Sequence, residues 1–315
     1  MTGAHLLVAA LIVLLAGAPL VLVTGRVDPT LAKVVAGATS AGAAVLGLVA
    51  VVTGAGDLRL PLVAVEADLV DLPLRVIGGG APGAIGLLVL AVVAAIQVFA
   101  SWYLGEDDRY AAFAATVSLF AAAMLLVVIS RDLVLTLIGW EVMGWCSYLL
   151  IGHWSRKESA RRAAYKAFMV TRLADVGFVL GVVALTALAG TSDLDKVNAL
   201  IAGDSCAGGL CAVSQRGVDI ALTALVTGVL GKSAQIPFQD WLTDAMEGPT
   251  PASALIHAAT MVAAGTVVLA GLYPALAQAE VARWVLGIAT SVTMVLAALL
   301  LSLIHILTLP TKRIV

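Results

Sequence analysis

The sequence predicts an all-α membrane protein of about nine transmembrane helices, and three observations predict it. Of 315 residues, 61% are hydrophobic and only 12% are charged, whereas soluble domains carry about 25% charged residues. The mean hydropathy is +1.06. Apolar runs near 20 residues long recur along the chain, the length a helix needs to cross a bilayer core of about 30 Å with every backbone group satisfied internally.

Nine such runs occupy residues 6–23, 34–52, 85–103, 110–129, 133–151, 163–188, 220–236, 252–273 and 281–306. Strand patterning is absent except in the mixed stretch 58–76, where Val and Leu alternate with acids. The first run ends in Ala16-Gly17-Ala18, like a signal-peptide cleavage site. Residues 1–5 carry no Lys or Arg, which argues for a retained helix. With nine alternating spans, Arg26, Lys33, Arg109, Arg156, Lys157, Arg161, Arg162 and Lys166 share one side, eight basic residues against six on the other. The positive-inside rule then places the N-terminus outside. The last stretch, 301–315, reads LSLIHILTLPTKRIV. It extends an apolar run and stops, and it is expected to be a truncated or non-native end.

A net charge of -2 gives no basic excess for nucleic acid. Three cysteines exclude a disulfide scaffold or a multi-zinc protein. Cys206 and Cys211 sit in a Gly-rich loop and leave a disulfide open, while Cys146 reads as apolar packing. Gly78-Gly79-Gly80-Ala81-Pro82-Gly83 fits a dinucleotide-binding pattern literally. It lacks a preceding strand and opens a membrane helix, so it reads as a loop. Gly231-Lys232-Ser233 mimics the end of a phosphate loop, but position 226 is Val where that loop needs Gly.

The informative residues are ionisable groups inside apolar runs, where a charge costs about 3 kcal/mol and marks a bundle interior or a water path. Glu141 lies mid-run with Gly144 and Trp145 expected on its face, and reads as a proton-accepting carboxylate. Arg172 and Asp175 are three apart, share a helix face and can pair. Two readings stay open for them, a structural ion pair or an Asp175 that biases a nearby proton site. Lys232 is a desolvated lysine, poised to give up its proton. Pro237 follows five residues later and breaks the helix, freeing carbonyls. At 100° per residue, Thr250, Ser253, His257 and Thr260 form one polar stripe. That stripe favours a proton relay through the His257 imidazole. Pro249 and Pro251 suit the helix start. No haem or iron–sulfur spacing appears, so no cofactor is expected in this chain.

Several of these residues fall in longer matching strings. Gly139-Trp140-Glu141-Val142-Met143-Gly144, Arg172-Leu173-Ala174-Asp175-Val176-Gly177-Phe178 and Gly231-Lys232-Ser233-Ala234-Gln235-Ile236-Pro237-Phe238 are three of them. The fourth runs from Asp244 through Glu247, Pro249 and His257 to Val262. Together they resemble the antiporter-like proton-channel subunits of respiratory complex I, specifically subunit L of NADH-quinone oxidoreductase. Relatives of that family occur in multisubunit sodium/proton antiporters and membrane-bound hydrogenases. The resemblance covers residues 102–273. It implies that Glu141 is the glutamate at the channel entrance. Lys232 is then the lysine on a broken helix, paired with Glu141 or Asp175, and His257 links two half-channels.

The implied organisation is three N-terminal helices over 1–108, a five-helix repeat over 109–274, and the start of an inverted second repeat over 275–315. Gln239-Asp240-Trp241-Leu242-Thr243 departs from the family's His-Xaa-Trp-Leu-Pro. The implied function is redox-driven proton translocation in a cell membrane beside other membrane subunits. NADH, FMN, iron–sulfur clusters and quinone are expected in those partners. A sodium/proton antiporter or hydrogenase-linked pump is the alternative, and an inert membrane scaffold is a third reading.

Overall fold

The computed structural model describes residues 2–54, 56–59, 75–202 and 214–308. Two long helices open the chain, α1 (Gly3–Val27) and α2 (Pro29–Thr53). They turn on Asp28, whose carboxylate accepts from the Thr30 N–H at 2.8 Å while Pro29 starts the helix. A short antiparallel hairpin follows, β1 (Asp57–Arg59) with β2 (Arg75–Ile77), registered as Asp57 on Ile77 and Arg59 on Arg75. Thus a strand does precede the glycine-rich Gly78–Gly83 stretch, contrary to the sequence reading. The strand is half of a hairpin, and the following helix α3 (Gly80–Tyr103) spans the membrane, so no nucleotide-binding unit forms.

The bundle continues with α4 (Tyr110–Ile129), α5 (Leu133–Ile151), α6 (Glu158–Ala189), the short α7 (Leu194–Ala202) and α8 (Gln215–Lys232). Asp132 caps α5 by accepting from the Val134 and Leu135 N–H groups, both at 2.9 Å. Helix α6 ends at Gly190, whose φ of 65° lies in the left-handed region that glycine tolerates. Past α8 come α9 (Asp240–Asp244), a 3-10 turn at Ala245–Glu247, α10 (Thr250–Ser253), a π turn at Ala254–Ala259, α11 (Met261–Gly271), α12 (Tyr273–Gln278) and α13 (Glu280–Thr308).

Eight helical spans among the described residues are long and apolar enough to cross a membrane, with α10, the π turn and α11 counted as one. The remaining apolar run, 220–236, falls largely in α8. That helix has 18 residues but carries Arg216, Asp219 and Lys232. Helix α4 is the enclosed centre, with 78% of its apolar window buried, and α13 is the outermost, with 6%.

Loop contacts confirm the alternation. The Lys33 ammonium donates to the Gly105 carbonyl at 2.7 Å, and Arg109 donates to the His153 carbonyl at 2.8 Å. These bonds join the α1–α2, α3–α4 and α5–α6 turns on one side. On the opposite side, Val76 bridges Ser130 and Asp132 bridges Asp193. The suggested Cys206–Cys211 disulfide and residues 309–315 of the unusual tail lie outside the described residues. Cys146 is a buried free thiol, as expected.

Candidate functional site

Helices α6 and α8 pack closely because glycines meet across them. A Cβ on Gly177 would lie 2.6 Å from the Ala224 carbonyl, and one on Gly181 2.6 Å from the Ala221 carbonyl. Gly177 and Gly181 form a GxxxG pair, the small-residue spacing that lets membrane helices touch. Close approach sets Asp175 of α6 against Lys232, the last residue of α8. The Lys232 ammonium is fully enclosed and donates to Asp175 Oδ2 at 3.0 Å.

Helix α5 closes the pair from a third side. The Trp140 indole N–H donates to Asp175 Oδ1 at 2.7 Å, and its ring stacks on Phe178 at 4.2 Å between centroids. Lys232 Nζ stands 5.0 Å from the Trp140 ring centroid, within cation–π range. One turn along, Gly144 leaves the space the lysine uses. A Cβ there would sit 2.8 Å from Lys232 Nζ, 3.7 Å from Arg172 Nη2 and 3.9 Å from Asp175 Oδ2. Gly144 therefore admits charged side chains, besides letting helices come close.

The second ion pair joins Arg172 of α6 to Glu141 of α5. Arg172 also reaches the Glu141 backbone carbonyl at 3.4 Å, and its guanidinium carbon stands 5.0 Å from the centre of the Phe168 ring. Both members are part-exposed, at 30%, and Glu141 Oε1 has no hydrogen-bond partner among the described residues. The structure thus corrects the pairing expected between Arg172 and Asp175. Although three apart on one helix, each binds a side chain of a neighbouring helix, because those partners lie closer to its charged tip. Lys232 pairs with Asp175, one of the two carboxylates considered, and Glu141 is held by Arg172. Trp145 follows Glu141 by four residues within continuous α5 but is 48% exposed, whereas Trp140, one residue before Glu141, is fully buried and supplies the aromatic contact.

Helix α8 stops at Lys232, five residues ahead of Pro237. The carbonyls freed there are satisfied within the protein rather than left open. Gly231 O accepts from the Trp241 indole at 2.9 Å, and Leu230 O accepts from the Gln235 N–H at 2.8 Å. Beyond the break, the Ser233 hydroxyl donates to the Val262 carbonyl at 2.9 Å, joining the end of α8 to the start of α11. Gly265 keeps that approach open, since its Cβ would lie 2.8 Å from Ser233 Oγ.

The second helix interruption surrounds His257. It lies in the π turn, where bonding runs i to i+5, so 100° per residue no longer applies and the expected polar stripe dissolves. Thr250 donates to the Tyr103 hydroxyl at 3.2 Å, and Thr260 donates to the Leu255 carbonyl at 2.6 Å. Ser253 makes no side-chain hydrogen bond among the described residues. The two His257 ring nitrogens are buried without partners among the described residues, and the ring centroid stands 6.2 Å from that of Trp241. Glu141, Arg172, Asp175 and Lys232 thus form one charged cluster, with His257 one aromatic ring beyond it. Trp140, Ser233 and the Gly177–Gly181 spacing are the contributors the sequence reading missed. Only the GxxxG spacing was a signal visible in one dimension.

Comparison with known proteins agrees with this architecture. Residues 130–304 match the family described as NADH:quinone oxidoreductase/Mrp antiporter, TM. NAD(P)H-quinone oxidoreductase chain 5 of Synechocystis is 43% identical over 190 residues, covering 60% of this chain and 27% of that protein. NADH-quinone oxidoreductase subunit L of Pseudomonas aeruginosa is 42% identical over 202 residues, covering 64% and 32%. The solved Mrp complex from Dietzia superposes with a TM-score of 0.74 at 25% identity, over 88% of this chain and 29% of that one. The chain therefore spans about a quarter to a third of the length of these relatives. The chain is a multi-pass membrane protein, and it belongs to the NADH:quinone oxidoreductase/Mrp antiporter transmembrane family.

Proposed function

We propose that this chain carries protons across a cell membrane as part of a redox-driven NADH-quinone oxidoreductase. The observation that carries the reading is two ion pairs side by side around Gly144, Glu141–Arg172 and Asp175–Lys232. The Asp175–Lys232 pair is expensive to enclose and a weak contributor to stability, so its presence favours transport over packing.

The pairs are coupled through α6. A proton arriving at the half-exposed Glu141 neutralises it and frees Arg172. Arg172 then turns to Asp175, three residues along the same helix face. Asp175 loosens its hold on Lys232, which is enclosed and favours its neutral form without a counter-charge. A unit-charge pairing at 4 Å is worth about 4 kcal/mol at an effective dielectric of 20. That is about a thousandfold in a transfer equilibrium. The proton leaves toward His257, whose unpartnered nitrogens suit a bridging water. These groups titrate as one set.

Residues 109–274 act as one five-helix unit in this reading, and the N-terminus faces outside, as the eight-to-six balance of basic residues favours. NADH, FMN, iron–sulfur clusters and quinone belong to partner subunits. The test is proton pumping by proteoliposomes of the assembled complex carrying Glu141→Gln or Lys232→Ala. Loss of about tenfold or more supports the reading, and parental rates in both variants overturn it. The likeness to an Mrp complex favours a second reading, cation/proton exchange. An imposed sodium gradient that drives proton movement without electron transfer would select it.

A further inference from the structure

A groove runs down the bundle between α3 and α11, well apart from the charged cluster. Its walls are Leu88, Val92, Ala95 and Phe99 of α3 facing Ala263 and Val267 of α11, and it encloses about 770 Å³. From Ile85 to Phe99 it follows α3 for about 21 Å at 1.5 Å per residue, longer than one leaflet's half of a bilayer core of about 30 Å. A second cavity of about 200 Å³ continues it toward the rim that carries the β-hairpin, and Ile85 and Val267 line both.

The upper cavity contains one charged side chain, Arg131. Its Nε is buried without a partner, and the guanidinium makes no hydrogen bond or ion pair among the described residues. The neighbouring polar groups are already committed. Ser130 donates to the Asp132 carbonyl at 2.8 Å and Thr136 to the same atom at 2.9 Å. The Asp132 carboxylate accepts from the Val134 and Leu135 N–H groups and from Ser192. Arg75, on the same rim, is saturated by Asp57, Asp193 and Asp195. Among the described residues that line the cavity, Arg131 keeps its fork of donors unspent, at the head of an apolar trough. A planar guanidinium matches phosphate oxygens two at a time.

The geometry points to a binding site for an anionic phospholipid. Its phosphate is held by Arg131, and one acyl chain lies along α3 and α11. This goes beyond the proton path and does not depend on it. A lipid wedged there would brace α11, the helix that follows the His257 interruption, against α3.

The experiment is native mass spectrometry of the whole chain released from nanodiscs of equal phosphatidylglycerol and phosphatidylcholine. The unsubstituted chain should retain phosphatidylglycerol about tenfold over phosphatidylcholine, because both carry the phosphate but the choline ammonium of the second offsets the charge that Arg131 attracts. Arg131→Gln should abolish the preference, and Arg131→Lys should keep only the part that charge alone supplies. Ala95→Trp, which fills the trough, should release the bound lipid with Arg131 intact. The headgroup comparison on the unsubstituted chain decides even where a variant fails to insert. Equal retention of the two lipids overturns the proposal, because the site would then not select a net negative headgroup. So does an Arg131→Gln chain that still discriminates. Glycerol phosphate displacing the lipid from the unsubstituted chain as effectively as added phosphatidylglycerol also overturns it, because the site would then read phosphate alone.

Discussion

Lys232 and Asp175 meet at 3.0 Å with the ammonium wholly enclosed. They come from the C-terminal end of α8 and the middle of α6, two helices held together by glycines. Three further groups define the pair: the Trp140 N–H, the face of the Trp140 ring and the vacant side-chain position of Gly144. Arg172 and Asp175 lie on one helix face but bind different neighbours, so α6 contributes one member to each ion pair.

Removing one partner of this pair strands the other. Asp175→Asn leaves an enclosed ammonium alone and is expected to cost about 3–5 kcal/mol. The double variant Asp175→Asn/Lys232→Met should recover most of that loss, since an uncharged pair of similar volume packs without desolvating a charge. Denaturant unfolding in detergent measures both. A single variant as stable as the parent would mean that the pair does not exist in the bilayer.

Gly144→Ala isolates position from charge. The new methyl would sit 2.8 Å from Lys232 Nζ, so the flexible lysine must shift while the helices stay in place. Proton transport is expected to fall on the order of tenfold to a hundredfold, as an ångström-scale misplacement of a transfer partner can produce. Stability should change by no more than about 1 kcal/mol, at the low end for an overpacked site that yields at a side-chain tip. Unchanged transport would show that Lys232 does not need this space.

Gly181→Val tests the glycine seam. Its Cβ would meet the Ala221 carbonyl at 2.6 Å and Leu225 Cβ at 2.7 Å. Backbone cannot yield there, so the helices must part at a cost of about 3 kcal/mol, carrying Asp175 away from Lys232. Gly37→Val is the control, since nothing lies within 4 Å of that position. Thermal unfolding that lowers both variants equally would remove the seam from the account.

The α5–α6 turn should respond to acid. His153 Nε2 stands 3.2 Å from Asp107 Oδ2, beside the edge of Phe113. Burial pushes the His153 imidazole below its usual 6.5 despite the opposing pull of Asp107. Burial opposes ionisation of Asp107 too, but the Arg109 N–H, His153 and Trp154 together hold its carboxyl below 3.8. Both shifts have one sign. Above pH 6.5 the histidine contribution is fully present; as pH falls through the folded value, the unfolded chain takes up the proton more readily and stability is lost. The Asp107 contribution is lost in turn below 3.8. Melting temperature should therefore drop between pH 7.5 and 5, and His153→Gln should flatten that drop. A variant that keeps the parental acid profile would place the titration elsewhere.

Span number, membrane class and the pairing of loops on each side were legible in one dimension, because hydropathy is a local property and a bilayer enforces it on every segment. Buried ionisable residues stood out for the same reason: Glu141, Arg172, Asp175 and Lys232 interrupt apolar runs. Their partners were not legible. Three-residue spacing suggested Arg172 with Asp175, but a long cationic side chain reaches whichever carboxylate the neighbouring helix presents. Only the approach of α5, α6 and α8 decides that. Likewise 100° per residue aligned Ser253, His257 and Thr260 until the π turn reset the angle. Composition determined that this chain lives in a membrane and carries charges there. Helix packing determined which charge faces which, since Coulomb energy depends on distances that spacing along the chain does not encode.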